Sequence, residues 1–122
     1  MTKKIKILVV DDDAIIGEML KAVLEFKGYE VLVSGEPNEA EQNILANDID
    51  LVILDKLISG VDGTDVCTKI KSNASTAQVK IMMMTALHTA GPDCLEAGAD
   101  AFMTKPFDMD LLFANVEAVL KQ

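Results

Sequence analysis

Asp50-Leu51-Val52-Ile53-Leu54-Asp55 is the stretch that decides the fold. Four apolar residues, two of them β-branched, run unbroken between two carboxylates. So short an apolar run predicts a strand buried on both faces. The next segment, Ser59-Gly60-Val61-Asp62-Gly63, is punctuated by glycine and predicts a loop. Asp55 thus stands at the carboxyl end of a buried strand. In parallel α/β sheets that edge is where ligands bind, so Asp55 is expected to be a chemical centre.

Working outward, the same strand-then-helix rhythm repeats. Ile5 to Val10 reads as a strand and ends in Asp11, Asp12 and Asp13. Ile15, Ile16, Met19, Leu20, Val23 and Leu24 then recur at helical spacing, and Gly28 stops that helix. Glu30 to Val33 is a second strand, and Pro37 fits the first turn of a second helix. Beyond Asp55, Thr64 to Lys71 is a third helix and Lys80 to Met84 a fourth strand ending on Thr85. A short helix follows Gly91-Pro92 and stops at Gly98. Ala101 to Met103 is a fifth strand, and Asp108 caps a last helix reaching Leu120. Strict alternation of apolar strands and helices implies an α/β fold, a parallel sheet with helices on both faces.

The 122 residues suffice for one domain, 1–122, with one core. Half the residues are hydrophobic but only 4% are aromatic, so that core is aliphatic and methionine-rich. A net charge of −9 argues against direct binding to nucleic acid or to an anionic membrane. It suits a cation or a basic partner. Cys67 and Cys94 form no CxxC and fall in apolar stretches, so buried thiols are expected rather than a disulfide or a metal site. Neither a secretory leader nor a run of transmembrane length is present, which predicts a soluble, cytoplasmic protein.

In a parallel sheet all carboxyl ends share one edge, so distant residues converge there. Asp11 and Asp12 come from the first strand, Asp55 from the third, Thr85 from the fourth, and Lys105 follows the fifth. Three carboxylates together repel one another and call for a counter-charge. Hard oxygen ligands of this kind suit Mg²⁺, which binds through one or two carboxylates plus phosphate oxygens. With one ammonium and one hydroxyl added, the set forms a cradle for a phosphoryl group. Asp55, which no other strand end duplicates, is the candidate nucleophile that would form an acyl phosphate.

With these residues in place, the chain resembles the receiver domain of bacterial two-component response regulators, of the chemotaxis-regulator type. The matching pieces are Ile7-Leu-Val-Val-Asp-Asp-Asp13, Asp50-Leu-Val-Ile-Leu-Asp55, Gly60-Val-Asp-Gly63, Met84-Thr-Ala86, and Glu96-Ala-Gly-Ala-Asp100 leading to Lys105-Pro-Phe107. Each is weak alone; together, in family order, they span almost the whole chain. The resemblance implies a flavodoxin-like, doubly wound, five-stranded sheet of order 2-1-3-4-5. It also implies that Asp55 takes a phosphoryl group from the phosphohistidine of a histidine kinase or phosphotransfer protein. By the same resemblance, Asp12 ligates Mg²⁺ directly, Asp11 does so through water, and the Leu57 backbone carbonyl is a further ligand. Lys105 pairs with Asp55 and then with the phosphoryl oxygens. Thr85 swings to the phosphoryl group, and Phe102 is the aromatic switch that follows. The Lys105-Pro106 bond is cis in the family, whereas base rates favour trans, cis being about 5% of such bonds.

The plainer readings stand beside these. Asp13 is expected to cap the first helix, Asp50 to be a strand-end carboxylate without chemistry, and Met82 to Met84 to fill core. His88 is expected in an exposed loop. Without the resemblance, Thr85 is an ordinary strand-end hydroxyl and Phe102 simple core.

The chain also departs from the family. Lys56 follows Asp55 where an apolar residue is usual, placing a second cation near the site. Ser59 replaces the proline of a Pro-Gly pair, and Gly17 stands within the first helix. Leu57 and Leu87, two residues beyond Asp55 and Thr85, are expected to gate water and so, with Lys56, to modulate the life of the acyl phosphate. Thr85 and Gly98 are 13 positions apart, about two fewer than the resemblance leads one to expect, so the fourth helix and the output face beside it should differ. The expected output is a phosphorylation-controlled protein contact, with phosphorylation-dependent dimerisation among its forms. Excision from a DNA-binding regulator or hybrid kinase is the alternative. A phosphatase or phosphotransferase that turns over aspartyl phosphates usually carries a second Asp where Leu57 stands. A flavin-binding domain needs a glycine- and hydroxyl-rich loop where Asp11 to Asp13 lie.

Overall fold

The computed structural model describes residues 3–86 and 90–122. In chain order the elements are β1 (Lys6–Val10), α1 (Ala14–Phe26), β2 (Glu30–Ser34), a 3₁₀ turn (Pro37–Glu39), α2 (Ala40–Asn47) and β3 (Leu51–Asp55). There follow β4 (Leu57–Ile58), β5 (Val61–Asp62), α3 (Gly63–Ser72), β6 (Lys80–Thr85), α4 (Gly91–Glu96), β7 (Ala101–Thr104) and α5 (Met109–Leu120).

The main sheet has five parallel strands in the order β2-β1-β3-β6-β7. This is the expected 2-1-3-4-5 arrangement, counting the long strands as they occur. Because successive strand side chains point to opposite faces, each buried strand feeds two cores. Ile7, Val9, Leu51, Ile53, Met82 and Met84 pack with Leu20, Leu24, Leu112 and Val116 from α1 and α5. Leu8, Val10, Val52, Leu54, Ile81 and Met83 pack with Ala40, Ile44, Cys67, Ile70 and Cys94 from α2, α3 and α4. The consecutive methionines are thus divided between the two faces as core filling. Both cysteines are free and buried, and burial pushes the Cys67 thiol up to about 11.

Helix ends follow local chemistry. Asp13 accepts from the Ile15 and Ile16 amides at 3.0 and 3.3 Å, and Asp108 accepts from Leu111 N at 2.7 Å. Gly17 sits in α1 because a Cβ there would lie 2.8 Å from Val33 Cγ1, so α1 packs closely on β2. Asp50 Oδ2 accepts from Lys6 N at 2.9 Å, a structural bond between strand starts.

Asp62 caps α3, accepting from Thr64 N at 2.9 Å and Thr64 Oγ1 at 2.7 Å. These bonds, the hydroxyl first, hold its carboxyl below the ordinary carboxylate range, with Lys56 adding to the effect. Since folding lowers this pKa, the stabilisation is fully present above the ordinary Asp value and is lost as pH falls through the folded value. Asp62→Ala is expected to cost about 1 kcal/mol near pH 7, as cap removals do. Urea unfolding at several pH values checks this: a gap from wild type that does not narrow in acid would exclude the ionised cap.

One feature was absent from the sequence-based reading. The segment after Asp55, expected as a loop, folds into a two-stranded antiparallel ladder, Leu57 opposite Asp62 and Ile58 opposite Val61. Ser59 (φ 51°) and Gly60 (φ 79°) form its turn, both in the left-handed region. That is the backbone of the two-residue hairpin turn, which glycine adopts freely and serine only under strain.

Candidate functional site

The site begins with strand order. β1 and β3 are adjacent, and the chain leaves them toward opposite edges of the sheet, β1 to β2 and β3 toward β6. The crevice at their carboxyl ends is the switch point of the sheet. Val10 pairs with Leu54 and is followed by Asp11, so the carboxylates of the two central strands are delivered side by side.

One ligand atom from each of Asp11, Asp12 and Asp55 lies within 4.8 Å of the others, the grouping expected from sequence. Asp11 is buried, Asp55 half-buried and Asp12 exposed. Lys105 Nζ donates to Asp55 Oδ2 at 3.0 Å and to Asp11 Oδ2 at 3.4 Å. The Asp11 bond is a second role for Lys105, beyond the one the resemblance implied. Asp11 is fixed further by the Asp13 N–H, 2.9 Å from Oδ1. Burial pushes the Asp11 carboxyl above its ordinary range, against the opposing pull of that N–H and of Lys105. Burial alone would lower Lys105; the bonds and charges of Asp55 and Asp11 outweigh it, so its pKa is raised and the ammonium persists at neutral pH.

A crevice of roughly 530 Å³ opens over Asp55, lined also by Lys56, Leu57, Gly60, Asp62, Thr85, Ala86 and Lys105. Thr85 is buried at the end of β6, opposite Thr104. Its carbonyl accepts from Lys105 N at 2.7 Å, which ties the lysine's backbone to the strand end. Lys105-Pro106 is cis, as the resemblance implied.

Three carboxylates against one ammonium leave the site negative. Oxygen donors this close, one of them exposed, fit a small hard cation that retains water. Asp11, Asp12 and Asp55 are the residues that could hold it.

The flanking residues are placed less predictably. The Lys56 ammonium does not reach for Asp55 but lies 3.7 Å from Asp62 Oδ1. The Leu57 side chain on β4 is exposed. Leu87 and His88 lie outside the described residues. Phe102 is 36% exposed rather than core, and its ring lies over Gly91 at the start of α4. A Cβ at Gly91 would fall 2.6 and 2.8 Å from two atoms of that ring. Gly91→Ala is therefore expected to dislodge the ring, at a cost of about 1 kcal/mol. Unchanged Phe102 ring shifts in the variant's NMR spectrum would exclude the packing.

Residues 7–117 match the sequence profile of the response regulator receiver domain. Over 124 aligned positions the chain is 39% identical to the DNA-binding response regulator MtrA of Mycobacterium tuberculosis, covering 99% of this chain and 53% of that protein. It is similar to a crystal structure from Chloroflexus aurantiacus, assigned as a response regulator, with a TM-score of 0.92 and 35% identity over 98% of this chain and 100% of that one. It is also similar to the BeF3-activated N-terminal receiver domain of Klebsiella pneumoniae RstA, with a TM-score of 0.87 and 29% identity over 96% and 99% of the two chains. The chain spans about half the length of the curated relatives it matches. No helix among the described residues is long and apolar enough to cross a membrane.

Proposed function

This chain belongs to the family of response regulator receiver domains, and from that premise we propose that Asp55 is its phosphoacceptor. The carrying observation is the Lys105 ammonium bonded to both Asp55 and Asp11 inside a cluster of three carboxylates. The donor is the phosphohistidine of a histidine kinase or phosphotransfer protein. An Asp55 oxygen attacks phosphorus, the P–N bond breaks, and its electron pair returns to the imidazole, which takes a proton from solvent. A bound Mg²⁺ would offset the charge of the phosphoryl oxygens. Lys105 gives up its bond to the Asp55 carboxylate for a phosphoryl oxygen, a charge-assisted bond of the same kind. The Thr85 hydroxyl donates to another oxygen, and Phe102 leaves its exposed seat as Thr85 moves.

On this reading residues 1–122 form a cytoplasmic signalling domain rather than an enzyme that turns over external substrates, for Leu57 stands where such enzymes place their general acid. The output passes through α4, β7 and α5. Because MtrA is a DNA-binding regulator about twice this length, a second reading places this domain as the phosphorylated half of such a regulator.

Incubation with acetyl phosphate and Mg²⁺ tests the proposal. Intact mass is expected to rise by one phosphoryl group, and chelation by EDTA is expected to prevent it. Equal uptake in EDTA would overturn the roles of Asp11 and Asp12. Sustained hydrolysis of a phosphate ester would overturn the signalling class.

A further inference from the structure

We propose that Ser59 is a positioning residue for the cation site: its main-chain N–H holds the Asp12 carboxylate at the crevice before any cation arrives. Ser59 N donates to Asp12 Oδ2 at 2.7 Å and Ser59 Oγ to the same atom at 3.3 Å. Among the described residues, both bonds to this carboxylate fall on Oδ2, and one Asp12 oxygen lies within 4.8 Å of ligand oxygens of Asp11 and Asp55. Asp12 is exposed and sits between the end of β1 and the start of α1. Without an anchor, an exposed carboxylate there samples several rotamers, and ordering it would weaken binding. Groups that bond to ligating carboxylates fix their orientation, and removing them typically lowers metal affinity by about 10- to 100-fold.

The backbone is shaped for this contact. The β4–β5 hairpin carries Ser59 at its tip, where φ is 51°. Glycine would sit there without strain. A strained non-glycine residue at a site is a pointer to function, and this one presents both a backbone and a side-chain donor to a single acceptor. Proline, usual in receivers at this position, has no N–H and cannot reach a positive φ. The hairpin and the bond to Asp12 thus arise from the same departure, and the segment expected as a loop is fastened to the first strand's acidic end.

The inference rests on the cation reading above, and the test separates the two. Calorimetric titration with Mg²⁺ is run on the wild type, Ser59→Pro and Ser59→Gly. Ser59→Pro is expected to bind about tenfold more weakly, and Ser59→Gly, which keeps the N–H, within about threefold of wild type. Amide hydrogen exchange at Ser59 is measured without cation, in the wild type and in Asp12→Ala. The wild-type amide is expected to exchange at least about tenfold more slowly, as a hydrogen-bonded amide does. A wild type that binds no Mg²⁺ would overturn the cation reading, and the inference with it. Equal Mg²⁺ affinity in a folded Ser59→Pro would overturn the positioning role alone. Rapid exchange at the wild-type Ser59 amide would overturn the bond itself, whether or not Ser59→Pro folds.

Discussion

Asp55→Asn is expected to take up no phosphoryl group from acetyl phosphate and Mg²⁺ under conditions where the wild type gains one. The carboxylate provides the nucleophilic oxygen, and an amide oxygen is too weakly basic to replace it. The substitution also removes a charge from the bond to Lys105, now 3.0 Å from Asp55 Oδ2, turning a charge-paired contact into a weaker one. Loss of activity should not come from loss of fold. Asp55 is one of three clustered carboxylates, two of which share the single Lys105 ammonium, and removing one charge relieves repulsion. Without Mg²⁺ the variant is therefore expected to match or exceed the wild type in urea unfolding. Intact mass and the unfolding curve are the two measurements. Uptake by the variant would place the phosphoacceptor elsewhere.

The second large effect is steric. Gly63→Ala is expected to destabilise the domain by about 3 kcal/mol, the upper part of the usual range for overpacking. Gly63 opens α3 where that helix crosses the end of β3. A Cβ there would overlap the Asp55 carbonyl oxygen and come within 3.0 Å of the Lys56 Cα and carbonyl oxygen. These are backbone atoms of the strand end and cannot swing aside as a side chain can. The Gly63 N–H to Lys56 carbonyl bond would be strained as well. Since this backbone carries the acceptor, phosphoryl uptake should slow too; a displacement of about 1 Å can cost on the order of 100-fold. Gly35→Ala is the control. Its added Cβ would lie 3.7 Å from the Asp11 carbonyl oxygen, ordinary contact, also beside the site. Gly35→Ala should be close to neutral. If the two variants unfolded at the same urea concentration, close approach at Gly63 would not be its function.

The sheet and the meeting of Asp11, Asp12, Asp55, Thr85 and Lys105 were legible because they rest on periodicity and on one topological fact. Buried strands read as apolar runs, and parallel strands bring their ends to one edge. What escaped was short or depended on side-chain direction. Two-residue strands such as Leu57–Ile58 and Val61–Asp62 carry no period to detect. The only sequence hints of that hairpin were Gly60 and the absence of proline at Ser59. Lys56 reads as a second cation for the phosphoryl site because it adjoins Asp55; it does line the same crevice, but its ammonium pairs with Asp62, a choice of partner that adjacency in sequence does not encode. Apart from the resemblance, which makes it a switch, Phe102 reads as simple core. Its exposed seat depends on a missing side chain at Gly91, eleven positions earlier, a pairing no local pattern encodes.

The division of each strand between two cores has a consequence for how such a chain can change over generations. Packed layers in proteins lie about 10 Å apart, and substitutions that far apart without shared partners usually add. Ile53 and Leu54 are neighbours in sequence but belong to separate packing communities. A lineage can therefore remodel the α2–α4 layer in small steps without renegotiating the α1–α5 layer. The shared boundary both must respect is the strand backbone, and the acidic crevice is mounted at its end. Surface diversity and a fixed chemical centre are then compatible by construction.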